Sequence, residues 1–151
     1  MLANRVETDG RQVELRLSGP AGAAVGLGLA AVLLVPLLFL SKLAGMQFLA
    51  VTLAFAAAVY FGFAVSDGRL IPLLVEFMVA GGFLFASAAA LWANSPVALA
   101  AGYVAHAGWD AAHHPRAVDT AVRTWYPPFC VVFDIATAAF ILAWLPLGGV
   151  R

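Results

Sequence analysis

Six residues able to do acid–base or metal chemistry stand inside runs that are otherwise apolar: Glu76, then His106, Asp110, His113 and His114, then Asp134. In hydrocarbon such residues are expensive, about 3 kcal/mol for a charged side chain at a helix centre on insertion scales, so they face a protein interior and pair, ligate or conduct. His106, Asp110 and His113 are spaced i, i+4, i+7, which places them on one helical stripe, with Tyr103 one turn further in and His114 at its edge. Cys130, Asp134 and Thr137 make a shorter stripe of the same kind.

The pattern His-x3-Asp-x2-His-His has the ligand types and helical spacing of a metal site. On this reading His106, Asp110 and His113 hold a divalent cation, zinc first and iron or manganese second. Glu76 and Asp134, from neighbouring helices, complete the shell, orient the histidines or serve as the catalytic acid and base. Three histidines are too few for the His-rich di-iron membrane desaturases and hydroxylases.

Packing alone accounts for some of the same residues. His113 and His114, followed by Pro115, suit a helix C-terminus, where the dipole favours a cationic ring. His106 and Asp110 make sense as a buried hydrogen-bonded pair, with Glu76 and Asp134 sharing protons. Trp109, Trp125 and Tyr126 read as interfacial anchors on one side of a membrane, Trp92 and Trp144 on the other. Cys130 has no partner in its own chain and reads as a small apolar core residue.

Five apolar segments must position these groups, at about 21–40, 43–65, 70–93, 96–114 and 127–146. Each is near the ~20 residues needed to cross ~30 Å of hydrocarbon. A hydrophobic fraction of 64% exceeds what a soluble chain of 151 residues could bury, and a charged fraction of 11% falls well below the roughly one quarter usual for soluble domains. The fold expected is therefore an all-α membrane protein, a bundle of five transmembrane helices in one domain over 21–151. Short connections at Ser41-Lys42, Ser66-Asp67-Gly68-Arg69 and Asn94-Ser95-Pro96 make neighbours antiparallel. Gly22 and Gly26, and the row Ala98, Ala101, Ala105, Gly108 and Ala112, supply small faces for close helix packing. Residues 1–20 form a polar segment that reads as a β-hairpin turning at Asp9-Gly10, and its Glu7, Asp9 and Glu14 argue against a cleaved signal peptide.

The third segment starts, the fourth ends and the fifth starts on one membrane face, so Glu76, His106 and Asp134 share a depth of roughly 10 Å. Arg5, Arg11, Arg16, Arg69, Arg116 and Arg123 fall on that same face, against Lys42 and Arg151 on the other. A multi-pass protein of the cell membrane with a cytoplasmic N-terminus and an outside C-terminus follows. The formal net charge of +0 and the single cysteine exclude a basic nucleic-acid stripe and a disulfide framework.

The stretch GYVAHAGWDAAHHPR, followed by TWYPPFCVVFD, resembles a paired signature of small bacterial integral membrane proteins of unknown function. That resemblance covers about the last third of the chain and implies no activity. The site logic is also similar to that of the ceramidase and progestin-receptor-like membrane hydrolases. Those have seven spans and differently placed histidines, so no residue role carries over.

Three functions are compatible with these features. One is a metal-dependent enzyme acting on a lipid or isoprenoid that enters sideways from the leaflet. Another is a metal-independent isomerase or hydratase in which Glu76, Asp110 or Asp134 protonates a double bond. The third is a transporter component or an accessory subunit of a membrane complex, with oligomerisation supplying what one chain lacks. Against transport, the charged residues occupy one half of the membrane, and neither an internal repeat nor paired broken helices are evident.

Overall fold

A computed structural model describes residues 19–114 and 117–144. Within them the chain is helical: α1 (Gly19–Leu34) continues through a 3-10 turn (Val35–Phe39), followed by α2 (Lys42–Asp67), α3 (Leu70–Trp92), α4 (Pro96–His113) and α5 (Tyr126–Trp144), with no strand among the described residues. The hairpin expected at the N-terminus lies outside the described residues.

Local chemistry sets the boundaries. Pro36, at the start of the 3-10 turn, cannot continue the α-helical ladder. Ser41 caps α2 by accepting from the Ala44 amide at 3.3 Å, and Gly68, at φ 77°, ends it in the left-handed conformation that glycine adopts without strain. Ser95 caps α4 through the Ala98 amide at 3.1 Å, with Pro96 at its first turn.

Four stretches are long and apolar enough to cross a membrane: Gly19–Phe39, Lys42–Asp67, Leu70–Trp92 and Tyr126–Trp144. The fourth helix differs from the expectation of five equivalent spans. It has 18 residues and is not among the four, because His106, Asp110 and His113 lower its hydropathy. Its polar stripe is buried against the other helices and its outward side is small and apolar, so its mean hydropathy is low although the surface it exposes is not polar.

α5 packs between α1 and α4, α2 pairs with α3, and α4 also touches α2 and α3. The α1–α5 contact depends on glycine: a methyl group at Gly22 or Gly26 would strike the backbone carbonyl oxygen of Trp125 or Phe129. The small-residue row on α4 behaves otherwise. Ala98, Ala101, Ala105 and Gly108 lie on its exposed side, since the opposite stripe of Leu99, Tyr103, His106, Asp110 and His113 is the buried one.

Leu37, Met46, Leu49, Leu53, Leu99, Tyr103 and Ile141 form the apolar core. Tyr103 donates its hydroxyl to the Leu49 carbonyl at 2.7 Å, tying α4 to α2. The exterior is also apolar, with Phe55 72% and Phe85 75% exposed. Contiguous exposed aromatic and aliphatic surface of this kind is stable only against lipid, and the protein is membrane-embedded.

Candidate functional site

Two buried polar clusters lie one above the other between α2, α3, α4 and α5. The deeper one joins α4 to α5. His106 Nδ1 is 2.6 Å from Asp134 Oδ2 and 3.3 Å from Asp110 Oδ2, and none of the three residues has measurable exposure. The contact shares one proton, donated by Nδ1–H to an Asp134 carboxylate or by an Asp134 carboxylic acid to Nδ1. That leaves His106 Nε2, both Asp110 oxygens and Asp134 Oδ1 buried without a hydrogen-bond partner. Phe83 and Tyr60 place their rings against the imidazole, at centroid distances of 4.9 and 6.1 Å.

The second cluster sits nearer the end of the bundle at which α4 stops and α5 begins. Glu76 Oε1 meets His113 Nε2 at 2.9 Å and accepts from Thr120 Oγ1 at 2.6 Å, while Oε2 accepts from Trp109 Nε1 at 3.2 Å. His113 Nδ1 is 2.9 Å from the Trp109 carbonyl oxygen, which can only accept, so Nδ1 carries a hydrogen. The Nε2–Oε1 contact then shares one proton, as imidazolium with carboxylate or imidazole with carboxylic acid. Every polar atom of Glu76 is engaged, and the network ties α3 to α4 and to the α4–α5 connection.

The grouping therefore differs from that expected of one stripe. His106, Asp110 and Asp134 come together, and His113 joins Glu76. Seven residues of helix advance by about 10 Å, too far for the His106 and His113 rings to reach one ion from a straight stripe. His114 is exposed at the end of α4, and its amide bonds to the Ala111 carbonyl. Trp109, expected as an anchor, spends its indole N–H on Glu76. Cys130 is a buried free thiol.

Tyr60 is a residue of the site that no motif in the sequence singles out. It is fully buried on α2, its ring 4.3 Å from that of His113 and 5.6 Å from that of Tyr126, and its hydroxyl has no hydrogen-bond partner. It separates the two clusters and touches the histidine of each. A tyrosine in the middle of an apolar helix was the available signal, since its hydroxyl needs a partner when buried.

His106, Asp110 and Asp134 each offer a ligand atom within 4.8 Å of the others, a spacing that can hold a metal ion. The donor set fits one. Two ionised carboxylates in a dry interior carry two uncompensated negative charges, which a divalent cation beside a neutral imidazole would cancel. Two protons, one on His106 and one on a carboxyl group, would also cancel them. On the membrane face, Asp67 and Asp119 both bond Arg69, and together they hold its guanidinium proton more tightly than usual, so it stays charged.

No curated protein and no solved structure matches the chain. A family of unknown function, DUF6010, matches residues 20–146, which take in all five helices but for the first residue of α1, and both clusters. The chain belongs to that family.

Proposed function

We propose that this protein is a polytopic membrane enzyme whose His106, Asp110 and Asp134 hold a divalent cation and which acts on a lipid or isoprenoid reaching the site from the bilayer. The observation that carries this reading is the set of buried, unpartnered lone pairs on those three residues. Burying such atoms unsatisfied is costly, and a cation satisfies several of them together. Zinc remains the first choice, but one imidazole and two carboxylates form a more oxygen-rich set than two imidazoles, which strengthens iron and manganese. The ion would polarise a substrate oxygen or activate water, with a carboxylate as general base. Glu76 and His113 act from behind, fixing α3 against α4 and holding Tyr60 in place.

In this reading all five helices cross the membrane, α4 turning its polar stripe to its neighbours and its small apolar side to lipid. The N-terminus is cytoplasmic and the C-terminus outside, on the strength of the arginine distribution.

One observation favours a second reading. The 2.6 Å approach of His106 Nδ1 to Asp134 is a short hydrogen bond and closer than two ligands of one ion usually lie. A proton-loaded triad of this kind would suit a metal-independent isomerase or hydratase.

Thermal unfolding of tag-free protein in mild detergent separates the two. Chelation should lower the melting temperature of the wild type, restored by added zinc or manganese, and leave the Asp110→Asn/Asp134→Asn variant unchanged, because a ligand stabilises only the state that binds it. A wild-type melting temperature indifferent to chelator and metal selects the proton reading.

A further inference from the structure

The membrane-face end of the bundle carries two adjoining cavities of opposite character. One, of about 480 Å³, is lined on its polar side by Arg69, His114, Thr120, Arg123 and Thr124, with Asp119 the acidic residue of its wall. The other, of about 450 Å³, is an apolar groove bounded by Leu70, Ile71, Pro72 and Val75 at the start of α3. They share Arg69, Val118, Asp119 and Thr120, so they meet along one wall. Leu70, Ile71 and Val75 are exposed, and the groove opens toward the lipid.

We infer that this pair of cavities binds a lipid with an anionic, phosphate-type headgroup, the head in the polar cavity and the chain along α3. Three features point to this occupant. The polar cavity is lined by the guanidinium groups of Arg69 and Arg123 and by the exposed His114, and the acids described beside it, Asp67 and Asp119, both bond Arg69. Guanidinium forks match phosphate oxygens in geometry as well as charge. The Asp119 side chain on Arg69 is 88% exposed, so a lipid phosphate could take its place without unpacking the fold. The polar-to-apolar step also falls where a membrane changes from headgroup to acyl chain, which a free anion would not need.

The position matters for the chemistry. His113 and Thr120 belong both to the cavity wall and to the Glu76 network, and His113 abuts Tyr60, which abuts His106. The headgroup is thereby seated at the outer end of a line of side chains leading to the triad. The inference rests on the lipid reading for its substrate class, but binding here does not require the metal.

The test is equilibrium binding to tag-free protein in detergent, with dioctanoyl phosphatidylglycerol, dioctanoyl phosphatidylcholine and glycerol phosphate as probes. The anionic lipid should bind more tightly than the zwitterionic one, Arg123→Gln should weaken only the anionic lipid by about fivefold, and Val75→Trp should weaken both lipids. Glycerol phosphate should bind far more weakly than either lipid, and the Asp110→Asn/Asp134→Asn variant should bind lipid as the wild type does, so failure of the metal site and failure of the lipid site are separate outcomes. Equal binding of the two lipids, no effect of Arg123→Gln in protein with a wild-type elution profile, or glycerol phosphate binding as well as lipid would each overturn the inference.

Discussion

His106 Nδ1 and Asp134 Oδ2 stand 2.6 Å apart with both residues buried, which makes this contact the polar joint between α4 and α5. Everything proposed for the deeper cluster depends on that joint, because it aligns the imidazole with both carboxylates.

Removing one partner should be costlier than altering it. Asp134→Ala leaves His106 Nδ1 unanswered in a dry interior, and a buried pair broken on one side typically loses about 3–5 kcal/mol. Asp134→Asn retains an acceptor and should lose less. The His106→Ala/Asp134→Ala pair should be non-additive in a double-mutant cycle of detergent unfolding; additive losses would mean that the contact contributes no coupling.

Glu76 should prove structural without taking part in holding the ion. Glu76→Ala abandons three hydrogen-bonding groups at once, on His113, Thr120 and Trp109. At about 1 kcal/mol per lost bond, the expected destabilisation is roughly 3 kcal/mol. Thr120→Val removes one of these bonds and should cost about a third as much. Chemical unfolding monitored by Trp109 and its neighbours reads both.

The helical glycines divide by what they face. Gly26→Ala drives a methyl group into the Phe129 carbonyl and should destabilise by about 1–3 kcal/mol, since backbone on both sides cannot yield. Gly62→Ala, on an open face of α2, should be neutral or gain about 0.5–1 kcal/mol. Comparing the two melting temperatures tests the α1–α5 interface directly.

Tyr60→Phe separates stability from function. Its hydroxyl is buried without a hydrogen-bond partner, so deleting it should not destabilise the protein. The Tyr60 ring packs on that of His106, whose Nδ1 lies 3.3 Å from Asp110. If Tyr60 supports Asp110 as a ligand, zinc affinity measured by competition with a chelating dye should fall about 10–100-fold. Unchanged affinity would reduce Tyr60 to a packing residue.

Much of the helical framework was legible because a membrane imposes it. Apolar length, and turns at Ser41, Gly68 and Ser95, fix where helices begin and end, and the described boundaries fall within a few residues of those read from the chain. Shared depth grouped Glu76, His106 and Asp134, of which the structure joins His106 to Asp134 and pairs Glu76 with His113 instead. Stripe membership alone could not pair His113, because seven residues of axial rise separate it from His106, and its partner was chosen by the position of Glu76 across the interface. The same limit applies to small residues. Gly22 and Gly26 meet a backbone, whereas Ala98 to Gly108 face outward, and sequence spacing cannot distinguish the two. Tyr60 was missed because its relation to His106 and His113 exists only in three dimensions.

The central claim is that a buried triad on α4 and α5 holds a divalent ion, and elemental mass spectrometry of tag-free protein tests it most directly. About one zinc, iron or manganese ion per chain is predicted for the wild type, lost in Asp110→Asn/Asp134→Asn and retained in Glu76→Gln. Well-folded wild-type protein that holds no ion after incubation with each metal, or an ion that survives loss of both aspartates, would contradict it.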